Sequence, residues 1–283
     1  MVAHVTAPML AARFLGDFRV MIDGVPVDTV SRRRTRHLLA YLLTHRRAAV
    51  HRDVLAEVFW PGATPERARN NLHVSLTGVR QALRAAHPLA EIERRYDTYR
   101  IGPATAVWSD VEQFARHRAA GLEADRRGDR DGVVRAYESA CQLHEGDFLA
   151  EDPYLEWAAP IREALRLDVI DVQTRLAEAY LERGAYGSAT LLARRLLEDD
   201  PCNETVSRLL MTCYATAGQR HLALSQYHRL AERLWTTHRV RPSAGTTAYF
   251  ERLRDPRGGV ASVHGNRSSA DLHHQPRRPA VHL

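Results

Sequence analysis

Between Arg67 and Arg84 the chain reads RARNNLHVSLTGVRQALR, and two chemistries are interleaved in it. Leu72, Leu76, Val79 and Leu83 recur at three- and four-residue spacing, which on a helix makes one apolar stripe to be buried. Arg69, His73, Thr77, Arg80 and Arg84 recur on the same period about a quarter turn away, and no acid follows Glu66 in the segment. Such a face suits the major groove of double-stranded DNA. Guanidinium groups meet phosphates or guanine edges, and Asn70, Asn71 and His73 supply shorter contacts. Read alone, the same residues also describe an ordinary solvated basic helix, so the surrounding elements decide between the two.

Those elements are legible on both sides. Residues 1–12 read as weakly ordered. Phe14-Leu15-Gly16 and Phe18 to Ile22 read as short strands, with Asp23-Gly24 turning the second into Val25-Pro26-Val27. A first helix runs from Thr35 to Leu43 and buries Leu38, Leu39, Leu42 and Leu43. Arg32, Arg33, Arg34 and Arg36 crowd its start, where cations oppose the helix dipole. Phosphate contact by Arg34 and Arg36 is one reason for that placement, and a solvated cluster is the other. His51 to Trp60 gives a second helix, with Val54, Leu55, Val58 and Phe59 inward and Pro61-Gly62 as its stop. The central helix begins at Thr64 or Pro65, with Glu66 in its first turn, and Pro88 prevents its continuation. Residues 92–95 and 98–101 then make a hairpin that exposes Arg94 and Arg95, a basic loop able to reach an adjoining minor groove or backbone.

Strands, three helices and a terminal hairpin, in that order, resemble the winged helix-turn-helix domain of OmpR-type transcription regulators over residues 14–102. The version in the Streptomyces antibiotic regulatory protein family is the nearer likeness. It rests on LGDFRVMIDGVPV, RRRTRHLLAYLLTHRRAAVHRDVLAEVFWPG, ARNNLHVSLTGVRQALR and the closing YDTYRIG. Two positions depart from that family's pattern. His51 stands where a serine-like cap is usual, and Gly78-Val79-Arg80 replaces an arginine-leucine-arginine triplet. Gly78 costs the helix roughly 0.5–1 kcal/mol relative to alanine and takes one side chain away from DNA.

The charge is divided along the chain. All 40 basic residues other than histidine are arginine. Residues 1–107 hold 16 arginines against 9 acids, residues 108–255 hold 20 against 24, and residues 256–283 hold 4 against 1, so a polyanion is drawn to the first part. The expected domains are 13–107 for DNA binding, 108–255 for a helical activator domain and 256–283 for a disordered tail. In the tail, His273 and His274 define no metal site, and Arg277 and Arg278 add at most nonspecific attraction. Cys141, Cys202 and Cys213 are too scattered for a disulfide framework or metal site and read as buried thiols in a reducing cytosol. No apolar run approaches membrane-spanning length, and Met1 to Leu15 lacks the basic start of a signal peptide.

The second part is helical and repetitive. Gly128-Asp129 separates two helices, with Ala136, Tyr137 and Ala140 as packing positions on the second. The 151-EDPYLEW-157 stretch reads as an ordered connection whose Tyr154 and Trp157 pack. Tyr180 and Tyr214, Gly184 and Gly218, Ala189 and Ala223, and Leu196 and Leu230 each lie 34 residues apart, the period of tetratricopeptide repeats. Leu230, Leu234 and Trp235 close the array, and 241-RPSAGTTAYFERL-253 caps it through Tyr249, Phe250 and Leu253. This half resembles the bacterial transcriptional activator domain.

The fold expected is therefore mainly α: an OmpR-type winged helix-turn-helix domain followed by an all-α, tetratricopeptide-like repeat domain. The resemblance implies a transcription activator that binds promoter direct repeats as a homodimer, contacts RNA polymerase and serves secondary-metabolite genes in the bacterial cytoplasm. The candidate DNA contacts are Arg34, Arg36, Arg69, Asn70, His73, Thr77, Arg80, Arg84, Arg94 and Arg95. No cofactor, metal or membrane is implied, and a small-molecule effector has no visible pocket. His37, His45, His51, His73, Asp53 and Glu57 have no spacing that makes an acid–base site, so an enzyme is not expected. The competing reading is a helical-repeat adaptor with weak or nonspecific DNA binding.

Overall fold

Met9-Leu10-Ala11-Ala12-Arg13 alternates in burial, with Leu10 and Ala12 fully enclosed, and forms the strand on which the first half of the molecule is assembled. The computed structural model describes residues 7–27 and 33–255. Arg32 and the tail 256–283, with His273, His274, Arg277 and Arg278, lie outside the described residues. Strand β1 (Met9–Arg13) pairs antiparallel with β2 (Arg19–Ile22), Leu10 opposite Ile22. It also pairs parallel with a strand from Ala106 to Ser109. The order expected at the N-terminus is thus corrected: residues 9–12 are strand, and Phe14–Gly16 follow it. Asp23 and Gly24, both at positive φ, turn β2 tightly into β3 (Val25–Pro26).

Three helices follow: α1 (Arg33–Thr44), α2 (Arg52–Phe59) and α3 (Pro65–Ala86). The short strand β4 (Val50–His51) precedes α2 and pairs with β6 (Thr98–Ile101), which pairs in turn with β5 (Ile92–Arg95). Strand β7 (Ala106–Ser109) completes the sheet β3-β2-β1-β7. Leu38, Leu39, Leu55, Leu72, Val79 and Leu83 are essentially inaccessible and form the core under α3. Val54, expected to face inward, is exposed. His51 caps α2: its Nδ1 accepts from the Asp53 amide at 3.2 Å, so the imidazole takes the place of a serine hydroxyl.

Helix α4 (Asp110–Arg126) and α5 (Arg130–Leu143) come next, then a 3₁₀ turn over Glu156–Ala158 and helices α6 (Ala159–Glu182), α7 (Tyr186–Asp199), α8 (Glu204–Thr216), α9 (Arg220–His238) and α10 (Ala244–Arg254). The described chain divides into two compact units. One holds 7–27, 33–116 and 142–166, and the other holds 117–141 and 167–255. Residue 107, where the composition changes, falls inside the first unit.

In the second unit one helix ending is used three times. The amides of Gly128, Gly184 and Gly218, all at positive φ, bond to the carbonyl three residues back. The next amide in each case bonds to the carbonyl five residues before it: Asp129 to Ala124, Ala185 to Tyr180 and Gln219 to Tyr214. This is the Schellman arrangement, in which glycine avoids the Cβ clash of the left-handed conformation. The second and third endings carry the 34-residue repeat. The first places Ala124, Val133 and Ala140 where the others have Tyr, Ala and Leu, so α4–α5 is a further hairpin in the same frame. Ala189, Ala193, Val206, Met211 and Ala223 are fully enclosed, and small residues let these helices approach closely. Phe250 of α10 stacks on Tyr227 at 4.1 Å, but Trp235, expected to close the array, is half exposed.

Candidate nucleic-acid interface

Helix α3 is fixed at both ends. The Thr64 hydroxyl accepts from the Arg67 amide at 3.4 Å, Pro65 occupies the first turn, and the His87 amide closes the last turn on the Leu83 carbonyl at 2.9 Å. Ala68, Leu72, Ser75, Leu76, Val79 and Leu83 are buried. Arg69, Asn70, His73, Thr77 and Arg84 are exposed, as are Arg67 and Gln81. At about 100° per residue the exposed group centres roughly a third of a turn from the buried stripe, farther than the quarter turn read from spacing alone. Arg69 Nε donates to the Pro65 carbonyl at 3.2 Å and Thr77 Oγ1 to the His73 carbonyl at 2.8 Å, so both side chains lie along the helix. The guanidinium groups of Arg67, Arg84 and Arg95 have no hydrogen-bond or ion-pair partner among the described residues.

Other candidates are engaged within the protein. Arg80 is half-buried and its Nε and Nη2 reach the Ile92 carbonyl at 3.4 and 3.3 Å, tying α3 to β5. Arg34 donates to the Phe59 carbonyl and lies 5.9 Å from the Trp60 ring. Arg36 pairs with Glu151, donates to the Phe18 carbonyl and covers the Phe18 ring at 5.7 Å. On the hairpin, Arg94 Nε donates to the Tyr96 carbonyl at 2.9 Å, and its guanidinium lies 3.9 Å from Asp97. Gly78 does not open a gap toward solvent. A Cβ there would meet Thr35 Cγ2 at 3.2 Å, so the glycine serves the approach of α3 to α1.

Sequence reading missed Arg67, Gln81 and Tyr96. Tyr96 is 85% exposed at the hairpin tip with φ +55°, an aromatic held in a conformation that L residues adopt reluctantly. The available signal was its place in a two-residue loop, since Arg95 pairs with Thr98.

The acidic strap that occupies Arg36 is part of the same unit. Asp152 accepts from His37 Nε2 and from Arg33 Nε, each at 2.7 Å. Burial alone raises its pKa, but hydrogen bonds from His37 and Arg33 and their charges outweigh this and hold the carboxyl below its ordinary value. Phe148 stacks on Phe14 at 5.4 Å, and Trp157 meets Tyr41 edge-on at 5.1 Å. Tyr154, expected to pack, is 92% exposed. Asp110, at the start of α4, is nearly inaccessible and accepts from the amides of Phe14 and Leu15 at 2.7 and 2.9 Å. Desolvation raises its pKa, and these bonds offset only part of that. Among the described residues no cluster of His, Cys, Asp and Glu is placed to hold a metal ion, and no helix is long and apolar enough to cross a membrane.

The family model for the bacterial transcriptional activator domain matches residues 109–254. The chain belongs to this family. The bacterial transcriptional activator domain is preceded here by a winged helix-turn-helix domain, the organisation of Streptomyces antibiotic regulatory proteins. The transcriptional regulatory protein MoaR1 of Mycobacterium tuberculosis is 26% identical over 252 residues, covering 88% of this chain and 80% of MoaR1. The transcriptional regulatory protein EmbR of the same organism is 25% identical over 241 residues, covering 84% of this chain and 62% of EmbR. A solved structure of Mycobacterium tuberculosis EmbR in complex with a low-affinity phosphopeptide superposes with a TM-score of 0.77 at 24% identity, over 87% of this chain and 65% of that one, and so shares its fold. The chain thus spans less than two thirds of EmbR. As a member of this family it is a transcription regulator and not an enzyme.

Proposed function

We propose that the chain is a sequence-specific activator that lays α3 in the major groove of promoter DNA. The observation that carries this reading is the exposed face of α3, where the guanidinium groups of Arg67 and Arg84 have no partner among the described residues and no acid lies between them. Arg69, Asn70, His73, Thr77 and Arg84 contact bases or phosphates, and Arg95, with Arg94 and Tyr96, follows the adjoining backbone or minor groove. Arg80 positions the hairpin, and Arg34 and Arg36 keep the unit together. Phosphate contacts supply affinity and salt dependence, and base-edge contacts supply operator preference.

The same reading takes the protein to the cytoplasm, on chromosomal DNA, as a homodimer on direct repeats that recruits RNA polymerase to secondary-metabolite genes. Selection of operators from random duplexes, followed by footprinting and transcription with purified polymerase, tests it. The expected result is defined protection that Arg84→Ala weakens, with raised transcript from the protected promoter. Retention that is salt-sensitive and independent of sequence would overturn the activator and favour a helical-repeat adaptor.

A further inference from the structure

The second half of the chain is acidic overall, yet one groove in its repeat unit is basic. It encloses about 630 Å³ between α7, α8 and α9. Arg194 stands on the α7 wall, and Arg229 and Arg233, one helical turn apart, stand on the α9 wall. All three are exposed, and among the described residues none has an ion-pair partner. Glu198 is the single acid on the lining. The floor is different in kind: Leu197 and Leu222 are half-buried over the enclosed Leu210 and Leu230.

The geometry points to this groove as a docking site for an acidic, leucine-bearing segment of a partner protein. Exposed arginines without an ion pair break no native salt bridge when they turn to a ligand, and a guanidinium grips a carboxylate through two parallel hydrogen bonds. Apolar side chains of the same segment cover Leu197 and Leu222, and the removal of that surface from water supplies the attraction that salt does not screen. A segment carrying only carboxylates would leave the floor uncovered, and one carrying only leucines would leave the rims unmatched, so both features are required. The groove lies wholly within the repeat unit, and the inference does not rest on the DNA reading of α3.

The test uses the full chain and three fluorescein-labelled twelve-residue probes: one alternating Glu and Leu pairs, one with every Glu replaced by Gln, and polyglutamate. Fluorescence anisotropy is measured for the wild type and for Arg194→Ala/Arg229→Ala/Arg233→Ala. Circular dichroism melting confirms that the exposed substitutions leave the fold intact. The Glu–Leu probe is expected to bind the wild type at least 10-fold more tightly than either other probe, and at least 10-fold more tightly than it binds the triple variant. A second variant, Leu222→Ser, is expected to lose the preference over polyglutamate while keeping the salt dependence. Equal binding of the Glu–Leu probe by wild type and triple variant would overturn the proposal. So would equal binding of polyglutamate, which would make the groove a general polyanion surface. A change of oligomeric state in the triple variant, measured by sedimentation, would assign the face to a second copy of the chain and likewise overturn it.

Discussion

Arg80 and Arg84 lie four residues apart on α3, and the structure separates their roles sharply enough to measure. Arg84 has no internal partner among the described residues, whereas Arg80 donates to the Ile92 carbonyl. If Arg67, Arg69, Arg84 and Arg95 each neutralise one phosphate, the slope of log K against log salt is about −3.6 per protomer, at about −0.9 for each contact. Arg84→Ala should then reduce the slope to about −2.7 per protomer, with unfolding free energy unchanged. If Arg84 instead reads a guanine edge, the slope holds and discrimination at one operator position falls by roughly 1–3 kcal/mol. Arg80→Ala removes bonds of 3.3–3.4 Å from a charged donor, at the long end of the range. It should cost about 1 kcal/mol of stability and weaken binding to all sequences alike, through a misplaced hairpin. The assay is anisotropy against a selected operator at four salt concentrations, alongside urea denaturation. The reasoning fails if Arg84→Ala leaves slope, affinity and preference untouched, or if Arg80→Ala is as stable as the wild type.

Further expectations concern the frame behind the interface. Asp152 has a lowered pKa in the folded state, so the stability it contributes is present above its unfolded value, about 4, and is lost as pH falls through the folded value. The difference in Tm between wild type and Asp152→Asn should be full at pH 6 and shrink below about pH 4, and a constant difference would refute the coupling. Asp110 has the opposite sign: its raised value makes the native state bind a proton first, so acidification relieves its desolvation cost, and Asp110→Asn should flatten that rise in a pH series of melts. Gly78→Ala gains up to about 1 kcal/mol of helix propensity but crowds Thr35, so Thr35→Ser should release the gain. A non-additive double-mutant cycle in urea checks this, and additivity would count against it. Phe148→Ala should cost about 3–5 kcal/mol and loosen the strap, read as a shift of tryptophan emission, with an unchanged spectrum and Tm as the contrary outcome.

What could be read from the sequence was local. The stripe from Leu72 to Leu83, the Thr64-Pro65 start of α3 and the Asp23-Gly24 turn depend on neighbours within a few residues, and each has one physical interpretation. The glycines at 184 and 218 were recognisable because the identical residues around them repeat. Gly128 was legible as a helix break, but its kinship with the repeat was not, because Ala124, Val133 and Ala140 keep the geometry without keeping the residue types. β1 was missed because its pairing with β7 joins residues nearly a hundred positions apart and its short sequence is poor in β-branched residues. The partners of Arg34, Arg36 and Arg80 were equally nonlocal. A cluster of arginines advertises charge, but only the folded chain says which charges are already spoken for by Glu151, by carbonyls or by aromatic rings.

The segment 142–166 completes the first unit although 25 residues of the other unit, 117–141, are synthesised before it. The amino-terminal half therefore cannot finish folding as it leaves the ribosome. Phe14 and Tyr41 wait for Phe148 and Trp157. The 50 residues from 117 to 166 must be added after Arg116, which at bacterial elongation rates takes about 3–10 s. During that interval Phe14 and Tyr41 lack their aromatic neighbours, and the frame behind α3 is completed only by a stretch encoded well downstream of that helix.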